Sequence, residues 1–272
     1  MVRFTKMEGA GNDYIYVNNL VEQVPEERLP ALARAVSDRH FGVGADGLIV
    51  ILPPTEPGYD FRFRMFNADG SEGEMCGNGM RGFARYCYER GLTGKRRMRV
   101  QTAAGCVVPE VLVDDAGTFA GVRVDLGAPR ILGDRRVAAE GREYPVTVVD
   151  TGVPHIVIFV DDVDAVDLAA VGPQLERHPA FPGRVNVNFA EAQGPDELRA
   201  RTWERGSGLT LACGTGASAV LVAACLKGFS GRSARVRMPG GDLRVEWDEA
   251  TGHVFLTGPA EFVCDGVFLR DF

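Results

Sequence analysis

Cys76-Gly77-Asn78-Gly79 and Cys213-Gly214-Thr215-Gly216 stand 137 residues apart in a chain of 272, and the same offset keeps matching on both sides of them. Upstream it pairs Arg62 with Arg199, Arg64 with Arg201, Phe66 with Trp203 and Asn67 with Glu204; downstream it pairs Gly91 with Gly228. Behind each cysteine, apolar residues recur at helical spacing: Met80, Phe83, Ala84 and Cys87 in the first copy, Ala217, Val220, Leu221 and Ala224 in the second. Each predicted helix starts just after its Cys and stops at a Gly, the residue favoured past a helix C-terminus. Each copy therefore reads strand, loop, Cys, helix, Gly, strand. The repeat is too long for a solenoid unit, so the chain is expected to form two homologous domains of mixed α/β (α+β) structure.

The turn Asp114-Asp115-Ala116-Gly117 marks the expected boundary. It divides a first half, residues 1–117 with Cys76, from a second, residues 118–263 with Cys213; the C-terminal strand 264–272 is expected to return to the first. No low-complexity linker separates the halves, which predicts that they pack closely. Strands are predicted over Val2–Phe4, Tyr14–Val17, Leu48–Leu52, Phe61–Phe66, Met98–Gln101 and Val107–Val113, with helices near Glu26–Asp38 and Asn78–Arg90. The second half repeats that character with strands near Val122–Asp125, Val146–Val149, Ile156–Val160, Asn186–Ala190, Leu198–Trp203, Val236–Arg237, Leu243–Trp247 and Val254–Thr257. Its helices are expected near Asp167–Glu176 and Gly216–Lys227.

Composition narrows the class. With 45% hydrophobic and 25% charged residues the chain matches an ordinary soluble protein. A net charge of −7, with no Lys/Arg run, argues against a nucleic-acid partner. The N-terminal Met1-Val2-Arg3-Phe4-Thr5-Lys6 has no secretory apolar stretch, and the apolar helix Ala217–Leu226 is too short to span a bilayer, so a cytoplasmic protein without a membrane partner is expected. Six cysteines in a reducing compartment point to thiol chemistry or burial rather than disulfides.

A thiol at a helix N-terminus sits among unpaired backbone N–H groups and the positive end of the helix dipole, which favours thiolate. The same donors attract a carboxylate, and Gly77 and Gly214 let a ligand approach the backbone closely. If the halves face each other about a pseudo-twofold, the two cysteines meet across the intervening cleft as one acid and one base. That arrangement suits inversion of a stereocentre without a cofactor: a thiolate takes the α-proton and the opposing thiol supplies one to the other face. A single burial or disulfide role would explain either cysteine alone, but not the duplication of each with its glycines. Cys87, Cys106, Cys225 and Cys264 lack that setting.

Other signals point elsewhere or stay open. Gly42-Val43-Gly44-Ala45-Asp46-Gly47 has dinucleotide-loop spacing, yet it follows a predicted helix and precedes a strand, the reverse of the required order. The only lysines are Lys6, Lys95 and Lys227, none in a phosphate-binding loop, which disfavours a Schiff base. The four histidines show no metal-ligand spacing. His155, after Thr151-Gly152-Val153-Pro154, is either a cleft residue or a surface turn histidine. Glu204-Arg205 at a strand end would suit an ammonium and a carboxylate, or simply be a solvated pair. Asn12 and Asn67 are turn-type residues.

Taken with Gly9-Ala10-Gly11-Asn12-Asp13, Phe66-Asn67-Ala68-Asp69-Gly70-Ser71, Arg184-Val185-Asn186 and Glu204-Arg205-Gly206, the two cysteine motifs resemble the cofactor-independent diaminopimelate epimerases along essentially the whole chain. The resemblance implies two pseudosymmetric domains, each a mixed, mostly antiparallel sheet wrapped around a central helix, in a homodimer that needs no cofactor. It implies conversion of LL-2,6-diaminopimelate to the meso form for lysine and peptidoglycan synthesis. Cys76 and Cys213 become the acid–base pair, and Gly77, Asn78, Gly214 and Thr215 the backbone donors to the reacting carboxylate. Asn12, His155 and Glu204 orient the reacting centre, while Asn67, Asn186 and Arg205 grip the distal end. Two positions depart from the pattern: Val153 stands where many members have Asn, and Gly47 where some have Gln. Racemisation of proline or hydroxyproline, thiol–disulfide exchange and amino acid binding without catalysis are the competing readings.

Overall fold

Strand Asn12–Asn18 lies parallel to Gly47–Leu52, and strand Pro154–Phe159 lies parallel to Asn186–Gly194. Parallel neighbours need a crossover. Helix Leu29–Ser37 supplies the first and helix Leu168–Glu176 the second. A second parallel pair follows in each half, Phe61–Asn67 with Val100–Thr102 and Glu197–Glu204 with Ser233–Met238. Their crossovers are the two cysteine-led helices, Gly77–Glu89 and Gly214–Lys227. The remaining strand pairs within each unit are antiparallel. The duplication read in the sequence thus recurs as a duplicated order of strands and crossovers.

The structure, a computed structural model, describes residues 1–272. Its chain forms two units, Met1–Val124 with Gly258–Phe272, and Asp125–Thr257. In the first, the sheet runs in the order Glu261–Phe268, Val2–Gly9, Asn12–Asn18, Gly47–Leu52, Phe61–Asn67, Val100–Thr102 and Gly105–Val107. In the second it runs Arg130–Ala139, Arg142–Asp150, Pro154–Phe159, Asn186–Gly194, Glu197–Glu204, Ser233–Met238, Gly241–Trp247 and Val254–Gly258.

Each sheet is covered on both faces, which is why its middle strands are apolar without alternation. Gly47-Leu48-Ile49-Val50-Ile51-Leu52 is buried at every position. On one face, Leu29, Leu32, Ala33 and Val36 pack with Ile15, Val17, Leu48, Val50 and Phe66. The matching core of the second unit joins Leu168, Val171 and Leu175 to Ile156, Ile158, Val187 and Phe189. The other face wraps the cysteine-led helix. From Gly216 to Ala224 that helix is buried on all sides, and its glycines, alanines and serine let strands approach closely. The expected α+β architecture, a mixed sheet around a central helix in each half, is the one observed.

Local differences have local causes. The strand expected over Val107–Val113 divides into Gly105–Val107 and Glu110–Val113, because Pro109 cannot donate to a ladder. Strand Arg130–Ala139 has no counterpart among the expected elements: its first seven residues are exposed, so it carries no apolar alternation. The helix expected near Glu26–Asp38 opens as a 3-10 turn, Glu26–Arg28, before Leu29–Ser37. The last strand begins at Glu261 and pairs with Val2–Gly9.

Candidate active site

In the first unit Cys76 is the N-cap of its helix, with extended backbone (φ −135°, ψ 121°), and its Sγ accepts the Gly79 N–H at 3.4 Å. The N–H groups of Gly77 and Asn78 precede the first intrahelical bond, made by Met80 to the Cys76 carbonyl, so they are the donors a helix start offers to a ligand. Gly79 rests on the sheet beneath: a Cβ there would stand 2.5 Å from the terminal methyl, Cδ1, of Ile49. Tyr14 donates to Cys76 Sγ at 3.6 Å, and the thiol lies 3.8 Å from Asn12 Oδ1. Burial, then the neighbouring Cys76, push the Tyr14 phenol well above its ordinary range, so it stays a donor.

Asn12 is held from both sides. Its Oδ1 accepts from Asn78 Nδ2 at 3.2 Å, and its own amide donates to Asp46 at 2.6 Å. Asp46, inside the glycine-rich segment, is paired in turn with Arg39 at 2.9 Å. That segment lies between helix Leu29–Ser37 and strand Gly47–Leu52, and it serves the site as a buttress. Gly47 has no room for a side chain, since a Cβ would meet the Phe66 carbonyl oxygen at 2.2 Å. Five residues into the helix, Arg81 is wholly buried, bonded through Nε to the Pro259 carbonyl at 2.9 Å, with both terminal nitrogens unpartnered. Burial lowers its pKa to about 10, against the opposing pull of Cys76, Tyr16 and Glu8.

In the second unit Cys213 repeats the geometry: φ −136°, ψ 112°, with its Sγ accepting the Gly216 N–H at 3.4 Å. Gly214 and Thr215 stand where Gly77 and Asn78 stand in the first. The two thiols nonetheless differ. Cys213 is buried at 6% exposure, whereas Cys76 is partly open. Burial and then the Glu204 carboxylate push the Cys213 thiol far above its usual range, so it rests protonated. Glu204 is held by Thr210, which donates to it at 2.6 Å. All six cysteines are free thiols.

His155 is wholly buried on its strand, beside Asn186 of the parallel neighbour, rather than being a surface turn residue. Burial first, and the Arg205 charge second, lower its pKa to about 3, which keeps the imidazole neutral. Asn186 accepts the Arg205 backbone N–H at 2.9 Å and donates to the Pro154 carbonyl at 3.0 Å; the Arg205 guanidinium, exposed, bonds to the Gly183 carbonyl at 3.0 Å. The Thr151–Pro154 turn is tied to the Cys213 helix by Thr151 Oγ1 on the Thr215 carbonyl at 3.1 Å. Asn67, exposed, bonds to Ser71 at 2.9 Å at the position equivalent to Glu204.

The predicted residues therefore gather as Asn12, Asn78 and Gly77 around Cys76 and Glu204, Gly214 and Thr215 around Cys213, with His155, Asn186 and Arg205 joined to one another in the second unit and Asn67 bonded to Ser71 in the first. Tyr14, Asp46, Thr210 and Asn188 escaped the sequence reading. Tyr14 and Asn188 lie inside predicted strands, where no local pattern marks a polar contact, and Asp46 lies in a glycine motif of another kind.

Residues 4–132 and 147–263 match the family model described as diaminopimelate epimerase. The chain is 48% identical to the diaminopimelate epimerase of Pelotomaculum thermopropionicum, over 98% of this chain and 99% of that one. It is also 48% identical to that of Acetivibrio thermocellus, over 97% and 98% respectively. Among solved structures, a predicted epimerase from Pseudomonas aeruginosa shares the fold, with a TM-score of 0.75 at 19% identity over the full length of both chains. The family-model match and near-complete alignment at 48% identity, together with two thiols capping equivalent helices, place the chain in the diaminopimelate epimerase family.

Proposed function

We propose that this protein interconverts LL- and meso-2,6-diaminopimelate by moving a proton between Cys76, one α-carbon and Cys213. The observation that carries this reading is the repeated N-cap thiol: the same backbone angles, the same 3.4 Å bond to the third N–H, and the same pair of open donors. A thiolate takes the α-proton and becomes a thiol, the electron pair delocalises into the carboxylate, and the opposing thiol returns a proton and becomes a thiolate. The chemistry requires the two sulfurs on opposite faces of the carbon. Backbone donors from Gly77, Asn78, Gly214 and Thr215 stabilise the carboxylate as charge builds on it.

Residues 1–117 with the returning C-terminal strand supply one thiol, and residues 118–263 the other. Asn12, His155 and Glu204 orient the reacting amino acid group; Asn67, Asn186 and Arg205 hold the distal one and so reject substrates that lack it. With Val153 carrying no amide, recognition at the 151–154 turn falls to its backbone and to Asn186. A small substrate such as proline would leave the distal residues without a partner. The enzyme works as a homodimer in the cytoplasm.

The test is incubation of reduced protein with LL-diaminopimelate in D₂O. Formation of α-deuterated meso product is expected; no exchange and no meso product would remove the assignment. Proline, hydroxyproline and single-centre amino acids are the controls, and turnover of those alone would redirect it.

A further inference from the structure

Asn188 occupies a place where packing alone asks for nothing polar. The two halves align strand on strand, with Gly47 beside Tyr14 in one and Asn186 beside His155 in the other. Two residues along those strands, Ile49 answers to Asn188. Both lie against the third residue of a cysteine-led helix: a Cβ on Gly79 would meet Ile49 Cδ1, and one on Gly216 would meet Asn188 Oδ1, each at 2.5 Å. An apolar side chain fills the site in the first half. In the second, a wholly buried amide takes its place, at the cost of needing partners for all its polar atoms.

Those partners fix its orientation. Thr202, also wholly buried, donates its hydroxyl to Asn188 Oδ1 at 2.9 Å. Asn188 Nδ2 donates to the Ile156 carbonyl at 3.0 Å, and a carbonyl can only accept. The remaining amide hydrogen faces His155, whose Nδ1 lies 3.1 Å from Asn188 Nδ2. Because Nδ1 faces a donor, it must be the acceptor, and in a neutral ring the single proton then sits on Nε2. Nε2 is buried and has no partner in the protein. In the first half the residue equivalent to His155 is Tyr14, whose hydroxyl turns to the cysteine at its helix start.

We propose that Asn188 is a positioning residue that locks His155 in its Nε2–H form, giving the Cys213 half of the site a neutral hydrogen-bond donor for a ligand acceptor such as a substrate carboxylate. The ligand role rests on the epimerase reading above; the tautomer does not. Burial of the ring, with Arg205 as the charged group acting on it, keeps it from taking a second proton.

The experiment is ¹⁵N-histidine NMR on the full-length protein together with steady-state kinetics on diaminopimelate. For wild type, His155 should show a pyridine-like Nδ1 and a pyrrole-like Nε2, unchanged from about pH 5 to about pH 8. N188L, for which Ile49 is the precedent, should keep the fold by circular dichroism yet lose the single-tautomer signature. N188D, which sets an acceptor against Nδ1, should draw the proton there. Both should lower kcat/KM by about ten- to a hundredfold, the worth of a misplaced buried hydrogen bond. A wild-type proton on Nδ1 overturns the inference, as does unaltered kcat/KM in a variant whose tautomer has changed. Should wild type show the expected tautomer but no turnover of diaminopimelate, the functional reading fails instead.

Discussion

His155 shows how one buried side chain ties stability to pH. Its pKa falls from 6.5 to about 3 on folding, so between those limits the unfolded chain binds a proton that the folded protein refuses. A depressed folded pKa gives stability that is present above the unfolded value and is lost as pH falls. Wild type should therefore lose up to roughly 5 kcal/mol from this group alone between neutral pH and about pH 3. Urea titrations of wild type and His155→Gln across that window check it: the variant should lack this part of the slope, and parallel curves would refute it. The two cysteines give a second prediction. Cys213 is buried and held as a thiol beside Glu204, while Cys76 is partly open. Limited alkylation followed by peptide mapping should label Cys76 well before Cys213, and substrate should protect Cys76.

Among the elements, the cysteine-led helices carry the sharpest contrast, because their third residues look alike and rest on different neighbours. Alanine gains about 1 kcal/mol over glycine in a helix. At Gly79 the obstacle is the terminal methyl of Ile49, which can rotate aside; at Gly216 it is Asn188 Oδ1, pinned by Thr202 and by the bonds of its own amide. Gly79→Ala should be close to neutral, whereas Gly216→Ala should lose about 1–3 kcal/mol by overpacking and lower kcat. Equal thermal shifts would show that the pinning is not real. This difference could not be read in advance. The repeat announced both helices and both caps, since Cys-Gly-x-Gly recurs with its flanking strands. The run Leu48–Leu52 likewise announced its strand, while the covering of both its faces is known only from the structure. What escaped was polar and set by strand pairing: Asn188 meets Thr202 across a hairpin and His155 across a parallel pair joined by a crossover, and Arg130–Ala139 is an edge strand whose exposed residues leave no periodic trace.

For the molecule as a whole, duplication has kept the scaffold and divided the labour. The topology and the cap geometry repeat, while equivalent positions carry different side chains: Asn67 against Glu204, Tyr14 against His155, Ile49 against Asn188. A symmetric dimer of one half could supply two thiols but only one set of side chains. Fusing two copies in one chain allows each to be changed alone, as the proposed different grips on the two ends of a substrate require. Net inversion should then depend on both halves at once, and its two half-reactions should not. Cys76→Ala and Cys213→Ala should each fall by at least about a hundredfold in meso-product formation, the scale of losing a general acid or base. Each variant should still bind diaminopimelate, because the backbone donors at both helix starts remain. Each should also retain slow α-hydrogen exchange with solvent for the stereoisomer whose proton faces the surviving sulfur, slower still for Cys213, which must first give up its proton, and the favoured stereoisomer should reverse between the two variants. Exchange measured by mass spectrometry on separated LL- and meso-diaminopimelate decides this, and the same stereoisomer exchanging in both variants would overturn the two-thiol assignment.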